Sequence, residues 1–479
     1  MIHVQTSIHD RFSVEFKIYF SGKEREHHQF KMNSWLFVPN SLNINAATYS
    51  KDQFYRDVKS NIRLKTPRFT LQQIVSADSQ PLQYLSRAVL QATQEPSEEH
   101  LQNLEFHIKM YVAIYKSALR DETKALQTPR SLTDVTAWMS HLDAMRGVAA
   151  QYRTLMSQHL HSLPAAKPVF QYGDEYMSHL SEVYAIRLLR YCQSREDGMD
   201  AEVVRSLTDL IAAEHQYKID KGYHHFSADN MAESRDMFQY QNTLKKYIES
   251  ALYLKSDSHP DGYAAQQLSF GVAAGIAMLI SMLIALPFQK YLGEYPILIF
   301  IILVVAYMFK DRIKEYARAR FAHRLKSRFF DLKSNIFFRG REVAHIKEGV
   351  DFITDEKTPA EVLKARGRSD LENRIPLEQI ILYRKQLDTD DDTFSERYEY
   401  RYDGINDITR IHLQYFTLKM DDPETKVGVL DEDGKINSGV IPRIYNLYIV
   451  LQCVVADTCE YHCFKLMMSR EGIQEFVEV

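Results

Sequence analysis

LSFGVAAGIAMLISMLIALPF, residues 268–288, carries no charged side chain across 21 positions. A helix rises about 1.5 Å per residue, so the stretch reaches roughly 30 Å, the thickness of a bilayer's hydrocarbon core. YPILIFIILVVAYMF, residues 295–309, follows almost at once and is shorter, at 15 residues. Between the two, Gln289-Lys290-Tyr291-Leu292-Gly293-Glu294 reads as a tight polar turn, and Pro296 is placed to open the second helix. Tyr291, Tyr295 and Tyr307 occupy positions where interfacial aromatics are favoured. A helix of a soluble protein keeps a polar face, and neither run has one. The pair therefore predicts a two-helix transmembrane hairpin over 266–310, for which the partner is a lipid bilayer.

The flanks set its orientation. The segment after the second run, KDRIKEYARARFAHRLKSR, supplies Lys310, Arg312, Lys314, Arg318, Arg320 and Arg324 as candidate inner-leaflet anchors. The excess of Lys and Arg places that end in the cytoplasm. The turn carries only Lys290, offset by Glu294, and is cheap to translocate. Two spans then return the preceding chain to the same side. Both termini are expected in the cytoplasm, in a membrane of the bacterial inner-membrane kind. The opening MIHVQTSIHDRFSVEF has no basic stretch followed by an apolar one, so no cleaved secretory signal is expected. A single span with a re-entrant second segment is the competing topology, and it requires export of everything before residue 266. Gly271 and Gly275 form a G-x-x-x-G step that lets helix backbones approach closely. They serve equally as transmembrane packing within the hairpin or as the contact of a homo-oligomer.

At 479 residues the chain is too long for one ordinary domain. A net charge of −4 gives no basic field, so nucleic acid is not an expected partner. The expected fold class is an α+β membrane protein. Residues 1–74 read as a small β-rich unit: Phe12 to Ile18 alternates, and Trp35-Leu36-Phe37-Val38 ends at Pro39-Asn40. Residues 75–260 read as an α-helical bundle. Ser97 is placed to cap one helix, and Leu101, Leu104, Ile108, Val112, Tyr115 and Leu119 give it an apolar face. Ser131 with Asp134 resembles a capping box ahead of a heptad-like seam, Val135, Trp138, Leu142, Met145, Ala149, Tyr152 and Met156.

Residues 311–350 read as a basic juxtamembrane helix, with Ile313, Tyr316, Ala317, Phe321, Leu325, Phe329, Leu332 and Ile336 on one stripe. Residues 375–479 read as an antiparallel β domain. Strands are expected at 377–383, 398–402 and 408–420, and a hairpin turns at Asp433-Gly434. The two-sided apolarity of 445–455 marks a central strand. Ser469 is expected to cap a last short helix, with Ile473, Phe476 and Val477 facing in.

Chemistry is sparse. Cys453, Cys459 and Cys463 share a parity and could meet on one face of a hairpin, but their spacing does not match a zinc knuckle. Glu214, His215, His224, His225 and Asp229 could converge, although the H-E-x-x-H spacing is absent. The residues imply no cofactor and no metal. The expectation is a membrane-tethered cytoplasmic scaffold or signalling adaptor with a cytosolic protein partner, not an enzyme. Two other readings compete. One is a membrane-perturbing or pore-forming oligomeric effector seamed at Gly271 and Gly275. The other is a membrane-bound metal-dependent hydrolase working at His215, His224 and His225.

Overall fold

A computed structural model describes residues 2–20, 29–128, 134–195, 200–226, 231–291, 296–326, 329–369, 372, 377–389, 398–400, 405–430, 436–455 and 458–479. In chain order its elements are β1 (Ile2–Asp10), β2 (Ser13–Phe20), β3 (Gln29–Pro39), α1 (Lys51–Asp57), β4 (Val58–Leu64), α2 (Leu71–Val75), α3 (Gln80–Gln94), α4 (Glu98–Leu126), α5 (Val135–His159), α6 (Lys167–Gln193), α7 (Ala201–Lys221) and α8 (Met231–Glu249). There follow β5 (Lys255–Pro260), α9 (Tyr263–Tyr291), α10 (Pro296–Lys326), β6 (Leu332–Phe338), β7 (Arg341–Ile353), α11 (Ala360–Arg366), β8 (Glu378–Thr389), β9 (Ile405–His412), β10 (Glu424–Leu430), β11 (Ile436–Pro442), β12 (Tyr445–Val455), β13 (Thr458–Ser469) and β14 (Gly472–Glu478). The protein is thus mixed α+β. It forms two compact units: Met1–Asn61 with Leu254–Arg397 and Asn406–Val479, and Ile62–Tyr253 with Tyr398–Ile405.

The first unit is built on an eight-stranded sheet, ordered β14-β13-β12-β3-β8-β7-β6-β5. A four-stranded sheet, β1-β2-β9-β4, and the separate β10–β11 hairpin complete its strands. Strands from the N-terminal and C-terminal parts of the chain share the larger sheet. β3 lies between β12 and β8 and pairs antiparallel with both, Phe37 standing opposite Tyr448 on one side and Ile380 on the other. Both edges of β3 carry backbone groups that need partners, and only distant segments of the chain supply them. Phe37 and Val38 are fully buried in consequence, and Trp35, Phe37, Val362, Ile380, Val450 and Cys463 form one cluster. Side chains of the two sheets also meet. The Phe16 ring stands edge-on to Phe464 and Phe476, and the buried Lys385 ammonium lies 2.6 Å from the equally buried Asp407 carboxylate.

Several local expectations change. Residues 472–478 are a strand, β14, antiparallel to β13, with Phe476 opposite Leu466. No last helix forms, because the free edge of β13 offers a ladder that a seven-residue helix could not match. The helix expected over 311–350 stops at Lys326, and β6 and β7 follow. Leu332 and Ile336 are four residues apart, which puts them on one face of a helix and also on one face of a strand. Ser334, Ile336 and Phe338 are buried with the strand period of two. The strand expected at 398–402 is irregular over 398–400, and residues 401–404 lie outside the described residues. The 427–440 hairpin is present, with Leu430 opposite Ile436, and its Asp433-Gly434 turn lies outside the described residues. β12 is internal to its sheet, between β13 and β3.

The second unit is the helical middle of the chain. Along α4, Met110, Tyr111, Val112, Ala113, Ile114 and Tyr115 are all buried in succession, so this helix is wrapped on every side. The Ser97 side chain accepts from the His100 amide at its start, as expected of a cap. Asp134 caps α5 through the Ala137 amide, and Ser131 lies outside the described residues. From the α5 seam Trp138, Leu142, Met145, Ala149, Tyr152 and Met156 are buried within the chain. Tyr398 and Tyr400 join this unit. The Tyr84 hydroxyl donates to the Glu399 carbonyl, and the Tyr84 ring meets Tyr400 edge-on.

Residues 375–479 expressed alone are expected to stay unfolded, because β8 and β12 each lose their common neighbour. Thermal melting followed by circular dichroism checks this, and a sharp cooperative transition would contradict it.

Candidate functional site

α9 and α10 pack against each other in antiparallel register. The Ser281 hydroxyl donates to the Ala306 carbonyl at 3.3 Å, and the Arg318 guanidinium stands 5.3 Å from the Phe270 ring centre. The facing surface is made of small residues, with Ala273, Ala277 and Ala306 all buried. Gly271 and Gly275 are not in it. A Cβ built on either meets nothing within 4 Å, so the close approach inside the pair belongs to the three alanines. The outer surface is apolar: Leu268 is 71% exposed, Leu279 60% and Ile297 77%. Among the described residues one helix segment, Tyr263–Leu283, is long and apolar enough to cross a membrane. Lys310, Arg312, Lys314, Arg318 and Arg320 follow the second apolar run on the same continuous helix. The Lys310 ammonium sits 3.7 Å from the Tyr307 ring centre, and Arg318 lies 3.4 Å from Glu315. The Arg324 side chain lies outside the described residues.

The two helices are rooted in the sheet at one place. β5 leads into α9, α10 leads into β6, and β5 pairs with β6 from Lys255 opposite Phe337 to Pro260 opposite Leu332. The Asp261 amide donates to the Asp331 carbonyl at 3.3 Å, and the Phe330 amide donates to the Asp261 carboxylate at 3.1 Å. Gly262 has a φ of +70°, and a Cβ there would lie 2.6 Å from the Phe329 ring. Both facts require glycine at this bend. The Asp331 carboxylate gathers the Lys51 ammonium at 2.7 Å, the Tyr55 hydroxyl at 3.1 Å and the Val350 amide at 2.8 Å. Burial and this carboxylate hold the Tyr55 hydroxyl far above its ordinary range. Lys51 reaches Asp351 at 3.1 Å as well, and Arg384 joins Asp351 at 2.7 Å. None of these root residues stands out in the sequence, because their spacing in the chain carries no motif.

Asp331→Ala leaves the Val350 amide without its acceptor and is expected to loosen this root by about 1–3 kcal/mol. Faster deuterium exchange at Val350 checks it, and unchanged exchange would show that the carboxylate is dispensable.

The helical unit holds a dense polar cluster. Arg153 on α5 grips Glu214 on α7 through two bonds of 3.1 and 2.7 Å, and it donates to Asp174 on α6 at 3.0 Å. Its guanidinium also lies 3.7 Å from the Tyr217 ring centre. The Ser178 hydroxyl donates to Glu214 at 2.6 Å, and the Tyr217 and Tyr223 hydroxyls donate to Asp174 at 2.7 and 2.9 Å. Burial first, then Asp174, drives both phenols far up. Next to it, Lys218 pairs with Glu182, and Glu175 accepts from the His224 amide at 3.1 Å and the Tyr240 hydroxyl at 2.8 Å. A Cβ at Gly173 would overlap the Tyr152 hydroxyl, so glycine lets α5 and α6 close on this cluster.

Of the five residues expected to converge here, Glu214 joins Arg153, while His215 faces Glu182 at 3.4 Å and His224 faces Glu175. The His215 and His225 rings meet edge-on at 5.5 Å, and Asp229 lies outside the described residues. The histidines are neighbours, but each leans on a different group. Among the described residues no set of three or more His, Cys, Asp or Glu side chains could hold a metal ion. Arg153 pairs with Asp174 and Glu214, and Lys218 with Glu182, which ties α5, α6 and α7 together.

Cys453 lies on the opposite face of its hairpin from Cys459 and Cys463. Val454 stands opposite Cys459, and Cys453 opposite Glu460. The short turn therefore puts residues of like parity on opposite faces of the hairpin, contrary to expectation, and His462 shares the face of Cys453. Burial pushes the Cys453 thiol up to about 12, so it is an inert core group.

Burial, with the Lys218 charge, holds the His179 imidazole down at about 4, from an ordinary 6.5. The unfolded chain takes up this proton first as pH falls. The His179 contribution is thus fully present above about pH 6.5 and is lost between there and about pH 4. His179→Gln should narrow the gap in stability between pH 7 and pH 4.5, measured as urea midpoints. An unchanged gap would assign the acid sensitivity elsewhere.

No protein family, no curated protein and no solved structure matches the chain significantly. The functional reading therefore rests on the helix pair, its root and the polar cluster.

Proposed function

We propose that the protein is a membrane-tethered scaffold or adaptor, anchored by α9 and α10 as a two-span insertion and presenting its soluble units to a protein partner in the cytoplasm. The observation that carries the reading is the pairing of Pro260 with Leu332. Strand partners stand about 5 Å apart, so the chain enters and leaves the helix pair at one point. If α9 crosses a bilayer, α10 must bring the chain back, and the soluble parts before and after lie on one side. A single-span topology would pull these strands apart. The seven Lys and Arg residues between Lys310 and Lys326, against two acids, favour the cytoplasm for that side. The saturated carboxylates of the helical unit favour a structural role over catalysis. The outward opening of Gly271 and Gly275 supports a second reading, an oligomeric effector whose copies meet along α9.

Protease treatment of sealed membranes tests the anchor. Inverted vesicles should expose both soluble units to digestion, and spheroplasts should protect both. Recovery of the intact protein in a detergent-free high-speed supernatant would rule the anchor out, as would digestion of either unit from the periplasmic face. Cross-linking in intact cells tests the scaffold. A protein that is captured only with itself would favour the oligomeric effector.

A further inference from the structure

The apolar runs of α9 and α10 are out of step. Ser281 is level with Ala306, and Phe270 with Arg318, so the two helices run past each other without slippage between these contacts. Lys310 then lies level with Ala277, and Lys314 with Ala273, to within a residue. The lower half of α9, from Leu268 to Met278, is uncharged. Beside it stands the stretch of α10 from Lys310 to Arg320, with five bases and two acids. Both helices are apolar together only where residues 299–309 face residues 278–288 of α9. Those 11 residues cover about 16 Å, against roughly 30 Å for an ordinary hydrocarbon core.

We propose that the pair sits in a bilayer thinned on its root side, with anionic headgroup phosphates drawn in to Lys310, Arg312, Lys314 and Arg320. This rests on the membrane anchor argued above. A lysine or arginine at mid-bilayer depth costs several times what a leucine or isoleucine gains there. Lipid therefore yields to the charges of α10 and does not follow the longer apolar run of α9. Arg312 and Arg320 are exposed on α10, where phosphate oxygens can reach them. The lower apolar residues of α9, Leu268 and Val272 among them, then lie at headgroup depth, where exposed apolar side chains are tolerated better than buried charges are.

The test uses the full chain reconstituted into vesicles of phosphatidylglycerol and phosphatidylcholine with 14-, 18- or 22-carbon monounsaturated chains. Flotation should be highest in the thinnest bilayer and fall about threefold or more in the thickest, as the mismatch grows. Lys310→Gln with Arg312→Gln should weaken the preference for phosphatidylglycerol over pure phosphatidylcholine. Spin labels read depth directly, in a Cys459→Ser background. A label at Val272→Cys should be as accessible to an aqueous nickel chelate as one at Tyr316→Cys, and a label at Leu283→Cys should be shielded. Equal flotation in all three thicknesses, or a label at Val272→Cys as shielded as that at Leu283→Cys, would overturn the thinned bilayer while leaving the anchor standing. Failure to float in any vesicle would overturn both.

Discussion

The short ladder between β5 and β6 governs the architecture of the first unit. It brings residues on either side of a long helical excursion into direct opposition, Pro260 against Leu332. Everything between them becomes an insertion into the edge of a sheet, and not a link between two bodies. The bonds around Asp261 and Asp331 and the close fit of Phe329 over Gly262 make that junction stiff. A displacement of the helix pair is consequently passed to β6 and β7, since Asp331 is bonded to Val350 and to Lys51 of α1.

The helical unit is organised differently. Its interior is not uniformly apolar: Asp174, Glu175, Glu214 and Lys218 are all buried. Taking such charges out of water is costly, and apolar replacements of the same shape often give a more stable protein. What the ions supply is discrimination among packings. Arg153 bonds two helices at once and stacks on Tyr217, so a rotation of α5, α6 or α7 would strand a buried charge. A hydrophobic seam alone, such as the one along α5, tolerates sliding far better.

How much of this is legible in the sequence follows from how far each interaction reaches. The Ser97 cap, the α5 seam and the uncharged runs are local, and residues a few positions apart announce them. The two-sided apolarity of β12 is local too, and it correctly marks an internal strand. Nothing in Trp35–Phe37 says that its neighbours will be Leu382 and Val450, because backbone pairing leaves no mark on side-chain identity. The same limit hid the polar cluster: Arg153, Asp174 and Glu214 stand on three helices. Where local signals misled, the period was ambiguous, as at Leu332 and Ile336. In the cysteines, a shared parity was informative only once the length of the turn was known.

An insertion whose two ends already touch can be removed with its strands left in place, at the cost of the bonds that Asp331 makes to Lys51, Tyr55 and Val350. The distance from Pro260 to Leu332 is that of any pair of cross-strand neighbours, and a two-residue Asn-Gly turn closes such a gap. The helices are therefore a detachable module. Excising them in favour of that turn would give a version of the sheet unit free of long greasy helices, with β5 and β6 as an ordinary hairpin, suited to work in plain aqueous buffer.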